Sequence, residues 1–194
     1  MSKKDAKAKA QALREGNEKG LYLLHTGNGK GKTSAAMNMV YRHLAHDLPA
    51  AVVQFVKKDG DFDDGDRKML RKLNELGFPV TIETLGAGFS WNTQDPDADR
   101  KAALLALKKA KVYLTDEKHR LVLLDELHIA LRNGNLKLEE VIPVISERTP
   151  LKHVITTGRG APEELIQLAD LVTEMKLVKH HVSQKIPAQQ GIEF

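Results

Sequence analysis

The run Thr26-Gly27-Asn28-Gly29-Lys30-Gly31-Lys32-Thr33 constrains this chain more than any other feature. Leu21-Tyr22-Leu23-Leu24 precedes it, and Ala35, Ala36, Met39, Val40 and Leu44 follow at helical spacing. The first run reads as a buried strand, and the second as a helix over Thr33 to His46 packed on one face. Strand, Gly-rich loop and helix in that order form the context in which the pattern G-x-x-x-x-G-K-[ST] cradles phosphate. Gly31, Lys32 and Thr33 fit the end of the pattern, while Thr26 stands where its first glycine belongs. Glycines let backbone N–H groups turn inward around anionic oxygens, and the helix N-terminus adds partial positive charge. Lys32 supplies a point charge for phosphate, and the Thr33 hydroxyl is a ligand for Mg²⁺. Three glycines within five residues also suit close approach of a ligand. The competing reading is a Gly-rich hairpin turn, which the strand–loop–helix order argues against.

Further along, strands and helices alternate. Ala51 to Val56 reads as a second strand, Arg67 to Leu76 as a helix and Val80 to Leu85 as a third strand. After a loop from Gly86 to Pro96 comes a long helix over Asp97 to Leu114, capped near Asp95 or Asp97. Leu121 to Leu124 is a fourth strand ending at Asp125-Glu126, and Leu138 to Ser146 is a helix that Pro143 is placed to kink or split. His153 to Thr157 is a fifth strand closed by Gly158-Arg159-Gly160. Pro162 to Ala169 starts as a helix with proline in its first turn, Leu171 to Leu177 is a sixth strand, and the tail from Val178 is irregular. Short, all-apolar strands imply a sheet covered on both faces. The pattern predicts one α/β domain, a mainly parallel six-stranded sheet flanked by helices. Residues 1–19 form a basic, mobile N-terminal segment, and 20–194 the nucleotide-binding domain.

Composition narrows the function. The 194 residues contain no cysteine, which excludes a disulfide scaffold, a Cys-rich metal site and a Cys nucleophile. The net charge is +4, and residues 1–19 hold six Lys/Arg against three acidic residues, so the rest of the chain is nearly neutral. A near-neutral body does not fit a protein built to neutralise nucleic-acid phosphates. No signal peptide is visible, and no apolar stretch approaches the roughly 20 residues that span a bilayer. These features predict a soluble, cytoplasmic protein with neither nucleic acid nor membrane as partner.

The acidic strand end is the second chemical feature. Carboxylates at the carboxyl end of a strand sit beside the ligand crevice of an open parallel sheet. Asp125 and Glu126 can hold Mg²⁺ directly or through water, or they are helix-capping acids that offset a dipole. Arg159, between two glycines, is either a phosphate contact or a solvent-facing turn residue. Phe89 and Trp91, in the Gly-flanked loop from Gly86 to Gln94, either plug a core edge or rest against a planar apolar ligand. On these motifs alone, three classes stand open: a transferase acting on an organic acceptor, a motor-like ATPase, and a nucleotide switch. The switch lacks an N-K-x-D guanine-reading motif.

The motifs Thr26-Gly-Asn-Gly-Lys-Gly-Lys-Thr33, Val53-Gln-Phe55, Gly88-Phe-Ser-Trp-Asn-Thr-Gln94, Leu124-Asp-Glu-Leu127, Thr157-Gly-Arg-Gly160, Leu168-Ala-Asp170, Val178-Lys-His180 and Ala188-Gln-Gln-Gly-Ile192 occur in this order. With them the chain, from about Leu21 to Phe194, resembles the ATP:corrinoid adenosyltransferases of the phosphate-loop type. The resemblance implies a phosphate-loop NTPase architecture of RecA-like kind. It implies transfer of the 5′-deoxyadenosyl group of ATP to the cobalt of a reduced corrinoid, cob(I)alamin, with release of triphosphate. A phosphate-loop ATPase or kinase acting on another substrate is the alternative. Carried over by motif position, Gly27, Asn28, Gly29, Lys30, Gly31, Lys32 and Thr33 hold the phosphates and Asn28 reaches the ribose; Arg159 joins the phosphate ligands. Thr33, Glu126 and Asp125 fall at the Mg²⁺ positions. Phe89 and Trp91 line the lower face of the corrinoid, where loss of the axial base eases reduction, so Lys32, Phe89 and Trp91 carry catalysis. No histidine has a catalytic role, and His25, His128, His180 and His181 are structural or peripheral. A homodimer and a reduced flavoprotein electron donor are further implications of the resemblance.

Overall fold

A computed structural model describes residues 18–56, 65–86 and 95–193. Its six strands are β1 (Tyr22–Thr26), β2 (Ala50–Gln54), β3 (Val80–Thr84), β4 (Leu121–Asp125), β5 (His153–Thr157) and β6 (Leu171–Glu174). They form one sheet in the order β3-β2-β4-β5-β1-β6, and every pairing is parallel. The helices are α1 (Lys32–Leu44), α2 (Gly65–Glu75), α3 (Pro96–Thr115), α4 (Leu127–Arg132), α5 (Leu138–Ser146) and α6 (Glu163–Leu168), with a 3₁₀ turn at His181–Gln184.

Strand alternation divides the core into two layers. Leu23, Val52, Leu123 and Ile155 pack with Ala36, Met37, Val40 and Leu44 of α1 and Leu70 of α2. Leu24, Val53, Leu124 and Val154 face the other way, against Ala103, Ala106 and Leu107 of α3, Leu127 of α4, Val141 of α5 and Leu165 of α6. The predicted α/β sheet is therefore present, parallel throughout and covered on both faces along β1, β2, β4 and β5, whose residues are almost all buried.

Burial on both faces does not extend to the edge. All four residues of β6 are exposed, because β6 pairs with β1 alone and ends at Glu174, three residues short of the predicted Leu177. The long helix begins one residue earlier than predicted, at Pro96, with the Asp95 carboxylate accepting from the backbone N–H of Asp97 and Ala98, both at 3.1 Å. Pro143 does not split α5: the carbonyl it cannot bond, that of Glu139, is on an exposed residue, and Glu147 N–H closes the following turn on the Pro143 carbonyl. Helix α4 is an element the periodicity missed, since its six residues are too few to show a helical repeat. Residues 1–17 of the predicted N-terminal segment lie outside the described residues, as do Phe89 and Trp91.

Candidate nucleotide site

Gly27 and Gly31 take φ of +94° and +105°, the left-handed region that glycine enters without penalty. The chain leaves β1 at Gly27, so Thr26 can remain a strand residue. That accounts for the absent first glycine. The Thr26 hydroxyl instead accepts from Ala161 N–H at 3.2 Å and ties the loop to the segment after Gly158-Arg159-Gly160. Gly27 and Gly29 serve a neighbour as well as a ligand. A Cβ on Gly27 would lie 2.5 Å from the Met175 carbonyl oxygen, and one on Gly29 2.7 Å from it. Gly29 N–H also donates to that carbonyl at 2.6 Å. The backbone that leaves β6 thus runs against the loop.

Lys32 opens α1 and is buried. Its ammonium donates to the Gly27 and Gly29 carbonyls at 2.9 and 2.5 Å, which holds it under the curve of the loop. Burial lowers its pKa from the usual lysine range; the charge of Glu126 opposes the shift, and Arg159 and Lys30 add to it. Arg159, exposed at its turn, is near enough for its charge to act on Lys32. Lys30 pairs with Glu193, whose carboxylate is held below its usual range first by Lys30. His181 Nε2 lies 3.5 Å from the same carboxylate, so the C-terminal segment reaches the crown of the loop.

The loop and the acidic strand end meet through hydroxyls. Thr33 Oγ1 donates to Asp125 Oδ1 at 2.9 Å, and Thr157 Oγ1 donates to the same oxygen at 2.8 Å. Gln54 Nε2 donates to Asp125 Oδ2 at 3.2 Å, and Glu126 N–H donates to Thr157 Oγ1 at 2.9 Å. Asp125 is fully buried. Glu126 is half-buried with φ +60° at the N-cap position of α4, and its side chain makes no capping bond. Asp125 thus ends a strand beside the loop, and Glu126 stands at the start of a helix without capping it through its side chain. Among the described residues no group of three or more His, Asp or Glu side chains could hold a metal by itself. The donor set of hydroxyl plus carboxylates suits Mg²⁺, which takes one or two carboxylates and completes its shell with substrate phosphates and water.

Sequence reasoning assigned no role to Gln54 and Thr157, although both fall within the motifs quoted above, and passed over Thr84 and Thr156. The available signal was polarity inside strands that are otherwise apolar: a glutamine in Val52-Val53-Gln54-Phe55, and two threonines ending β5.

His128 is buried; its Nδ1 lies 3.0 Å from the Gly158 carbonyl and its Nε2 2.9 Å from Thr156 Oγ1. A carbonyl can only accept, so Nδ1 carries the proton, Thr156 donates to Nε2, and the Tyr22 hydroxyl at 3.0 Å donates to Thr156. Burial, chiefly, drops the His128 pKa to about 4, with the charges of His25 and Lys32 acting the same way. The unfolded chain takes up this proton near pH 6.5 and the folded one only near 4. The associated stability is therefore complete above about pH 6.5 and is lost as pH falls toward 4. We predict a loss of about 2 kcal/mol between pH 7 and pH 5 from this group. Urea melts at the two pH values check it: His128→Asn should show a correspondingly smaller difference than the unsubstituted chain.

Fold and site together define a phosphate-loop nucleotide-binding protein of RecA-like architecture, with the acidic strand β4 separated from the loop strand β1 by β5. Comparison with known proteins takes this further. The family model described as ATP:corrinoid adenosyltransferase BtuR/CobO/CobP matches residues 18–194, and the chain belongs to that family. A corrinoid adenosyltransferase of Sinorhizobium sp is 46% identical over 193 residues, covering 99% of this chain and 88% of that protein. One from Pseudomonas aeruginosa is 43% identical over 194 residues, covering 100% and 93%. The corrinoid adenosyltransferase CobA of Salmonella typhimurium is 36% identical over 185 residues, covering 95% and 91%.

Proposed function

We propose that this chain binds Mg·ATP in the loop from Gly27 to Thr33 and transfers its 5′-deoxyadenosyl group to a reduced corrinoid. Family membership carries the activity. The hydroxyl–carboxylate junction of Thr33, Asp125 and Thr157 supports the placement of the nucleotide. The corrinoid cobalt attacks the ribose C5′ with its own electron pair. The Co–C bond forms as the C5′–O bond breaks, and triphosphate departs with the electrons of that bond. No proton moves at the reacting carbon, so the absence of a catalytic histidine is consistent with the chemistry. The protein's work is to orient C5′ and stabilise the departing anion. Lys32, Lys30, Arg159 and the loop N–H groups meet the triphosphate, and Asn28 the ribose. Thr33, Glu126 and Asp125 would hold Mg²⁺, which when bound neutralises phosphate charge. Phe89 and Trp91 are proposed for the corrinoid's lower face on the family resemblance.

A homodimer, a cytoplasmic location and a reduced flavoprotein donor complete the proposal. The absence of cysteine fits a reducing compartment, and no helix among the described residues is long and apolar enough to cross a membrane.

The test is product analysis. With Mg·ATP and chemically reduced cobalamin, inorganic triphosphate should appear in step with adenosylcobalamin, and only when corrinoid is present. Corrinoid-independent ADP formation at a comparable rate would instead identify an ATPase or kinase.

A further inference from the structure

The phosphate loop and Asp125 do not complete the polar network at this end of the sheet. Gln54 ends β2, is fully buried, and stands in register with Asp125 on one side and Thr84 on the other. Its Nε2 donates to Asp125 Oδ2 at 3.2 Å, and its Oε1 accepts from Thr84 Oγ1 at 3.2 Å. The Asp125 carboxylate sets the orientation of the amide. Turning it over would set Oε1 against that carboxylate, whereas the Thr84 hydroxyl, able to donate or accept, fits either way.

We propose that Gln54 is a positioning residue for the metal end of the site, and this rests on the reading of Thr33 and Asp125 as the Mg²⁺ positions. Asp125 orients the Thr33 hydroxyl by accepting its proton, which turns the oxygen lone pairs of Thr33 outward. The carboxylate can do this in one rotamer only while both its oxygens are held. Thr157 and Thr33 fix Oδ1; Gln54 fixes Oδ2. The backbone reinforces the arrangement, with Phe55 N–H donating to the Asp125 carbonyl at 3.0 Å and Leu85 N–H to the Gln54 carbonyl at 3.2 Å. A glutamine that only filled space in an apolar strand would be replaced by methionine without consequence for ligand binding. A positioning glutamine would not.

The experiment is calorimetric titration of ATP into the full chain, in EDTA and across a Mg²⁺ series, with free Mn²⁺ counted by electron paramagnetic resonance as a second readout. Gln54→Met keeps the volume and removes both hydrogen bonds. We expect a lowered thermal melt, because a buried carboxylate oxygen loses its donor, in a chain that still folds at the titration temperature and binds ATP in EDTA within twofold of the unsubstituted affinity. The metal concentration that half-maximally tightens ATP should rise about tenfold, the lower end for a hydrogen bond to a charged group. Thr84→Val, at a half-buried position, frees the amide without touching the core and should shift the same midpoint two- to threefold, as a modest estimate from a neutral hydrogen bond. A folded Gln54→Met with unsubstituted metal dependence overturns the role of Gln54. If that variant fails to fold, an unshifted midpoint in Thr84→Val overturns it, and a shifted one supports it. If the unsubstituted chain binds ATP equally in EDTA and in Mg²⁺, the metal reading itself falls and takes this inference with it.

Discussion

Lys32→Ala is expected to remove half or more of the stabilisation that Mg·ATP gives this chain, while leaving the nucleotide-free chain folded. In the structure the Lys32 ammonium is buried among loop carbonyls, and burial lowers its pKa. A lowered lysine pKa means that the fold bears a penalty for the charge, and its removal offsets the loss of the two hydrogen bonds to the loop carbonyls. The thermal melt without ligand should therefore stay close to that of the unsubstituted chain. With a triphosphate in the loop, the same charge forms charge-assisted hydrogen bonds. Losing one costs about 1.5–3 kcal/mol, or about 10- to 150-fold in affinity. A ligand at 100 times its Kd stabilises a fold by about 2.7 kcal/mol, and at the same concentration about half to nine-tenths of that gain disappears in the variant. Melts with and without Mg·ATP, beside calorimetric affinities, check the expectation. A variant that folds and keeps full affinity would refute the phosphate-loop assignment.

This placement of Lys32 shows which parts of the site were legible in sequence and why. The strand–loop–helix order located the loop to within two residues at its start and one at its end, because glycine, lysine and threonine at fixed spacing have few other uses. Asp125 was found because a carboxylate abruptly ends an apolar strand. Its partners were not found: Thr157 and Gln54 come from strands distant in sequence, and only the sheet order β2-β4-β5 brings them to one carboxylate. Pairing order is a non-local property that strand composition does not encode. The exposed edge at β6 was misjudged for a related reason. Leu171 and Val172 are as apolar as the buried strands, but their burial depends on a neighbour that the sheet order does not provide. The C-terminal segment looked irregular, and in helix and strand terms it is, apart from one 3₁₀ turn. Its significance lies in where it ends, with Glu193 on Lys30.

The glycines of the loop were read as space for phosphate, and the structure divides them. Gly31 has φ +105° and no protein atom within 4 Å of an added Cβ, so no neighbour in the chain demands its glycine and conformation does. Gly27 has φ +94° and a Cβ there would stand 2.5 Å from the Met175 carbonyl oxygen and 2.8 Å from Met175 N. Those are backbone atoms, held by Gly29 N–H to the Met175 carbonyl at 2.6 Å and by Met175 N–H to the Thr26 carbonyl at 2.8 Å, so no side chain can swing aside to relieve the clash. Gly31→Ala should therefore cost only the left-handed penalty, about 1–2 kcal/mol. Gly27→Ala adds the cost of overpacking, about 1–3 kcal/mol, to the same penalty. Its relief requires the segment after β6 to separate from the loop, and with it goes the contact that sets the loop's shape. Denaturant melts should rank the pair with Gly27→Ala clearly the less stable, by about 1–3 kcal/mol. Gly27→Ala should also lose ATP binding at temperatures where it remains folded. If the two variants melt alike, the glycine at position 27 answers to phosphate and not to the strand beside it. A Gly27→Ala variant that melts low but regains stability when Met175 and Lys176 are both replaced by glycine would instead locate the strain in that segment's backbone freedom.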